Sequence, residues 1–323
     1  MSKISIVIPV YNEAAGLMSF YEQLSRVLEE LKQKNHSYQV VFCNDGSTDG
    51  SADVLKELAR GDKHVTIVSL SRNFGKEAAL TAGIAQATGD AILILDSDGQ
   101  HPVKLIPDFV DAWHNGAKVV VGIRRSSSSD TLLKRFGSRL FYSLFNRLSK
   151  QKLIPGSTDF RLIDASVQKA FLQLGESERI TRGLIDWVGF KREYIYFDAL
   201  DRNAGTAQYS PSKLFKLASD SVVSLSALPL YVSGGLGMLI TPLALLLGVT
   251  VFIEQIVLED PLNWNFTGTA MLGIVILFLV GIILICLGIL SLYISHIHAQ
   301  SQQRPLYIVD EENSVHLDDS KTA

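Results

Sequence analysis

The chain has 323 residues, 47% of them hydrophobic and 20% charged, with a formal net charge of −3. This composition excludes a disordered chain, and two cysteines are too few for a disulfide framework or a zinc site. The near-neutral balance hides three regions. Residues 1–116 carry 10 basic and 15 acidic side chains (net −5), 117–220 carry 18 and 10 (net +8), and 221–323 carry 2 and 8 (net −6).

The first stretch, ISIVIPV at 4–10, is a continuous β-rich apolar run of the kind covered on both faces. It begins within a few residues of Met1, with no n-region, long h-region or cleavage site, so no signal peptide is expected. Residues 14–34 predict a helix with Leu17, Phe20, Leu24, Val27, Leu28 and Leu31 on one stripe. Strands follow at 38–43, 65–70, 91–95 and 118–122, with helices at 51–59, 75–87 and about 102–114 between them. Alternation at this spacing predicts an α/β fold with a mostly parallel, doubly wound sheet. Such sheets bind ligands beyond the carboxyl ends of their strands. Tyr11-Asn12-Glu13, Asn44-Asp45-Gly46 and Asp96-Ser97-Asp98 all fall there.

Residues 124–152 hold eight basic side chains against one acid, and 130–150 place Leu133, Phe136, Leu140, Leu144 and Leu148 on one stripe. The pattern fits an interfacial helix on an anionic membrane, and equally a core helix with solvated basic residues. A second amphipathic helix is expected at 211–226. No Asp, Glu, Lys or Arg occurs from 221 to 253 or from 261 to 303. The segments 229–253 and 269–295 are each long enough for a transmembrane helix, since a hydrocarbon core of about 30 Å needs roughly 20 helical residues. The connection between them has no Lys or Arg, while Lys213, Lys216 and Arg304 flank the pair. Both ends are therefore expected on the cytoplasmic side of the plasma membrane. The expected organisation is a catalytic domain at 1–210, a juxtamembrane helix at 211–228, a two-helix hairpin at 229–295 and a tail at 296–323. Within the tail, 305–309 suits a short strand, and the last dozen residues are expected to be disordered.

Among the motifs, Asp96-Ser97-Asp98 follows an apolar strand directly, and Gln100 lies two residues on. Two carboxylates at i and i+2 with an amide oxygen suit Mg²⁺ or Mn²⁺, hard cations that also take phosphate oxygens. The plain alternative is a solvated turn. Asn44–Gly50 reads as a ligand-approaching loop, with Asp45 accepting from a base or ribose and Asp49 or Ser51 capping the next helix. His101 reads as a surface loop residue. Neither G-x-G-x-x-G after the first strand nor G-x-x-x-x-G-K-[ST] occurs, which removes the main support for a dinucleotide or P-loop enzyme.

Taken together, these stretches resemble the family 2 glycosyltransferases of GT-A fold, and within them the enzymes that move a sugar onto a polyprenyl phosphate. The carrying residues are Val7–Glu13, Asn44–Gly50, Ser71–Leu80, Asp96–Pro102, Lys134-Arg135, Asp159-Phe160-Arg161-Leu162 and Trp187-Val188-Gly189-Phe190. The resemblance implies a nucleotide site lined by Pro9, Tyr11, Glu13, Asp45, Lys76 and Asp96. It implies a metal held by Asp96, Asp98 and Gln100, and an acceptor phosphate met by Arg124, Lys134, Arg135 and Arg202. Asp159 takes the place of the catalytic carboxylate, acting as a base or orienting the acceptor; its plain alternative is an ion pair with Arg161. The partners implied are a UDP-linked nucleotide sugar, a polyprenyl phosphate lipid, the membrane and further copies of the chain in a homo-oligomer such as a tetramer, with no nucleic acid. Two departures stand out: Thr158 replaces the Gly before D-F-R-L, and Ala207-Gln208 replaces a phosphate-binding Ser-Lys, with Lys213 nearby. Another membrane acceptor, such as diacylglycerol or a glycan, and an inactive sugar-nucleotide scaffold stay open as alternatives. Absence of Q-x-x-R-W disfavours polymer synthesis.

Overall fold

The computed structural model describes residues 1–125, 156–176, 179–198 and 268–318, with isolated residues from 246 to 253. The chain divides into two compact units, Met1–Ala207 with Arg304–Ala323, and Gln208–Gln303.

In the first unit the described strands and helices run β1 (Lys3–Val10), α1 (Ala14–Gln33), β2 (Ser37–Asn44), α2 (Ser51–Gly61), β3 (Val65–Ser69), α3 (Lys76–Gln86) and β4 (Ala91–Ile94). A 3-10 turn leads into α4 (Ile106–His114), followed by β5 (Val119–Arg124), β6 (Ser157–Asp164), α5 (Ala165–Leu172), α6 (Thr181–Trp187) and β7 (Arg192–Phe197). The expected elements up to residue 122 all form, with ends moved by one to a few residues. The stripe Leu17, Phe20, Leu24, Val27, Leu28, Leu31 is the buried face of α1.

The strands assemble in the order β3-β2-β1-β4-β6-β5-β7. Successive side chains point to opposite faces, and both faces are covered. Ile4, Ile6, Ile8 and Val10 of β1 pack with α1, α2 and α4, while Val7 faces the layer that includes α3, α5 and α6. Gly83 of α3 shows how closely this second layer sits, because a Cβ there would stand 2.5 Å from Cys43 Sγ and from Val7 Cγ1.

The sheet is mostly parallel, as expected, but it is mixed, with one strand reversed. β1 pairs in parallel with β2 and β4, as do β2 with β3 and β5 with β7. β6 runs against both of its neighbours, β4 and β5. Reversing one central strand brings the start of β6 to the edge where β1, β2 and β4 end. At the opposite end of β6, the Asp164 carboxylate caps α5 through Ser166 N–H (2.9 Å) and accepts from Trp113 and Lys118. Burial works against its ionisation, but these donors dominate and hold it at about 2.

The tail departs from expectation. Residues 308–318 run against the open edge of β3, so 312–318 are not disordered as expected, while 319–323 lie outside the described residues. Antiparallel bridges join Leu70 to Val309 and Ile67 to Val315. Ser71 N–H donates to Ile308 O (3.0 Å), and Asp310 N–H to Ser69 O (2.7 Å). Tyr307, Val309 and Leu317 pack on one side of the sheet and Val315 on the other. An uncovered edge strand exposes unpaired amides and carbonyls; the tail satisfies those of β3 and adds apolar contact, which outweighs its acidic, polar composition.

In the second unit, α7 (Gly268–Ser301) runs for 34 residues without an Asp, Glu, Lys or Arg. Leu272, Ile283, Leu287, Ile294 and Ile297 on it are exposed. Its side chains are described only in part, and the earlier expected span, 229–253, lies almost wholly outside the described residues. Counting only its described residues, α7 offers no stretch long and apolar enough to cross a membrane, nor does any other helix among the described residues. The basic helix expected at 130–150 and the juxtamembrane helix at 211–226 also lie outside the described residues.

Candidate active site

The loops that follow β1, β2, β3 and β4 converge at one end of the sheet. The first two are stitched together through Asn12, whose Oδ1 accepts from Thr48 N–H (2.8 Å) and whose N–H donates to Ser47 Oγ (3.1 Å). Asn12 adopts a φ of 56°, a left-handed conformation that Asn tolerates. Asp49 is not a helix cap: it accepts from Ser51 N–H (2.9 Å) and Ala14 N–H (3.1 Å), tying the start of α2 to the start of α1. Gly50 holds the cap position instead. At Gly46 (φ 62°) a Cβ would stand 2.5 Å from Arg72 C, so the second loop lies directly against the third.

Asp45 is buried and its carboxylate accepts from Phe74 N–H (2.7 Å) and Gly75 N–H (3.0 Å). Desolvation nevertheless raises its pKa, the two amides offsetting only part of that cost. The residue therefore shapes the Ser71–Gly75 loop. Nearby, Tyr11 is exposed, and Pro9 O accepts from Ser97 Oγ (3.3 Å).

Lys76 opens α3 and joins the two carboxylates that frame the site. Its Nζ lies 2.7 Å from Asp96 Oδ1 and 2.8 Å from Asp159 Oδ2. The antiparallel register explains the meeting. Ile94 of β4 stands opposite Arg161 of β6, so two residues beyond Ile94 and two before Arg161, Asp96 faces Asp159. Burial acts to lower the Lys76 pKa, but the two carboxylates overcome it and raise it. Burial likewise acts to raise Asp159, and Lys76, Arg182 and Arg161 together bring it below the ordinary carboxylate value. An Asp so stabilised as an anion is a weak proton acceptor and a strong fixed negative charge.

Asp159 does not pair with Arg161. That arginine is 1% exposed and turns away from the site. Its guanidinium donates to Thr158 O (3.0 Å), Ser157 Oγ (2.7 Å), Arg182 O (3.2 Å) and Asp186 Oδ1 (2.9 Å), locking β6 to α6. Sequence reading missed this clamp, and missed Arg182, because neither α6 nor the reversal of β6 was anticipated.

Beyond β4, Asp96, Asp98 and Gln100 form the half-exposed loop, with Asp98 Oδ1 accepting from Gln100 N–H (3.0 Å). His101 is no surface residue. It is buried, stacks on Phe160 at 5.2 Å and 17°, and accepts from Asp96 N–H at Nδ1 (3.3 Å). It thus braces the Asp96–Gln100 loop against β6. Among the described residues no three His, Cys, Asp or Glu side chains gather to hold a metal ion. The loop offers two carboxylates and an amide oxygen, a partial set that substrate phosphate and water oxygens would have to complete. Arg124 ends β5 with its side chain exposed. Lys134, Arg135 and Arg202 lie outside the described residues.

An α/β domain with acidic loops gathered at the strand ends has the place and the charge for a ligand site. The chain belongs to glycosyl transferase family 2, whose model matches residues 5–171, and it is a glycosyltransferase. A Synechocystis protein described as an uncharacterized glycosyltransferase, sll0501, is 38% identical over 309 residues, 96% of this chain and 95% of that protein. The bactoprenol glucosyl transferase of Shigella phage SfV is 36% identical over 310 residues, 96% and 99% of the two chains. Among solved structures, mannosyl-3-phosphoglycerate synthase from Rubrobacter xylanophilus aligns over 72% of this chain and 75% of its own, at 15% identity and a TM-score of 0.49.

Proposed function

We propose that this protein transfers a single hexose from a UDP-sugar to undecaprenyl phosphate at the cytoplasmic face of the plasma membrane. The observation that carries this reading is the reach of the likeness to bactoprenol glucosyl transferases. It spans 96% of the chain, well beyond the family domain and through the two charge-free C-terminal segments. Substrate class is most often set outside the shared nucleotide-binding half, so likeness there bears on the acceptor.

A lipid phosphate oxygen attacks the anomeric carbon as the bond from that carbon to the nucleotide diphosphate breaks, with inversion. The acceptor phosphate is already ionised near neutral pH and needs no base. Asp159, held as an anion, therefore orients the acceptor and the cations around it. Lys76 sits between Asp96 and Asp159 where a diphosphate would bring further negative charge, and its ammonium offsets that charge. The Asp96, Asp98 and Gln100 oxygens suit Mg²⁺ or Mn²⁺, which when bound supplies Lewis-acid neutralisation of the departing diphosphate.

The second half of the proposal is the anchor. At about 1.5 Å per residue, the 34 residues of α7 extend about 50 Å, more than a hydrocarbon core of about 30 Å requires. Its exposed Leu and Ile side chains suit lipid. With the charge-free 229–253 segment it makes a hairpin with both termini cytoplasmic.

The test is to incubate membranes containing the protein with labelled UDP-sugars, Mg²⁺ and undecaprenyl phosphate, and to look for a mild-acid-labile glycolipid. Turnover only with diacylglycerol or glycan acceptors would replace the lipid-phosphate reading, and the loss of the Ser-Lys pair at Ala207-Gln208 is the reason to include them. No turnover with any donor would leave a binding scaffold.

A further inference from the structure

We infer that Arg182 is a phosphate-binding residue of the acceptor subsite, contacting the phosphoryl group of the lipid monophosphate beside Asp159; this rests on the function proposed above. Three observations support it. First, the backbone around Arg182 is tethered on both sides to the neighbours of the Lys76–Asp159 pair. Thr181 N–H donates to Glu77 Oε2 (2.7 Å), one residue from Lys76, and Arg182 O accepts from Arg161 Nη1 (3.2 Å), two residues from Asp159. The far end of the helix is fixed as well, by Arg161 and Arg192 on Asp186.

Second, the Arg182 side chain is exposed, and among the described residues its guanidinium has neither a hydrogen bond nor an ion pair. The other arginine of this cluster, Arg161, is buried with its donors engaged. Third, the Arg182 charge reaches Asp159, whose carboxylate is stabilised by Lys76 first and Arg182 next. Lys76 is already shared between Asp96 and Asp159. Arg182 thus brings a cation that is not consumed by the resting site. Its planar set of donors matches phosphate oxygens, and a rigid backbone limits the ordering cost of binding.

Arg182→Ala and Arg182→Lys in the full chain test this. The side chain is exposed, so α6 should hold, and an unchanged melting midpoint verifies it. The expected result for Arg182→Ala is an acceptor KM raised by about 10- to 100-fold, the worth of a charged hydrogen bond, with the UDP-sugar KM within twofold. Arg182→Lys should recover part of the loss. An unchanged acceptor KM, or a rise confined to the donor KM, would overturn the assignment.

Calorimetric titration with geranyl phosphate in the presence of UDP separates this inference from the transferase reading. Weaker binding in Arg182→Ala supports it even if the wild-type protein proves to make no glycolipid. Equal binding in both proteins, or none to the wild type, overturns it. Inorganic phosphate provides the comparison ligand. Loss of both ligands assigns Arg182 to the phosphoryl group, whereas loss of inorganic phosphate alone counts against a lipid ester.

Discussion

Replacing Arg161 with Met should separate the fold's internal clamp from its chemistry. Met fills the volume of the arginine stem but removes four donated hydrogen bonds and one buried positive charge. Breaking a buried pair by removing one partner costs about 3–5 kcal/mol. Asp186 is 18% exposed and keeps Arg192 at 3.4 Å, so the lower end applies, about 3 kcal/mol. For a domain of this size each kcal/mol moves the midpoint by about 2–4 °C, which gives a fall of about 6–12 °C. Scanning fluorimetry of the detergent-solubilised chain reads it. Adding Asp186→Asn to the Met variant should recover part of the loss, because the carboxylate left with Arg192 alone as its ion-pair partner is then gone. A fall below about 2 °C, or no benefit from Asp186→Asn, would refute the clamp.

Lys76→Met removes the first cation that depresses Asp159. The Asp159 pKa should then rise, and the acid limb of the kcat profile should move to higher pH. A limb unchanged between pH 4 and 7 would show that Asp159 does not govern it. Asp98→Ala should abolish turnover while leaving the melting midpoint within a few degrees, and full activity would sink the metal assignment. Deleting residues 305–323 should cost on the order of 3 kcal/mol in lost apolar cover. It should also speed hydrogen exchange at the amides of Ile67, Ser69 and Ser71, which bond to Val315, Ser314 and Ile308. Unchanged protection at those three positions would argue against the strap.

Local pattern determined the Rossmann-like half of this protein. Continuous apolar runs define β1, β2 and β4, because a strand buried on both faces has no polar alternation to obscure it. The spacing from Leu17 to Leu31 defines the inner face of α1 for a similar reason. The polar loops after those strands were legible because strand ends are where such sheets leave backbone groups and carboxylates free to meet a ligand. Pairing direction is not local. β6 carries the same kind of residues in either orientation, and its antiparallel placement between β4 and β5 is fixed by where the chain returns. That placement alone opposes Asp159 to Asp96, turns Arg161 inward and lets Arg161 hold the Arg182 carbonyl. The same holds for the tail: its acidic composition suggests disorder, yet the unpaired edge of β3 supplies the hydrogen bonds that order it. The sequence by itself determined where most strands and helices form and which polar loops lie at the strand ends. Tertiary structure decided which carboxylate meets which cation, because contacts between distant segments depend on strand order and direction that no local pattern encodes.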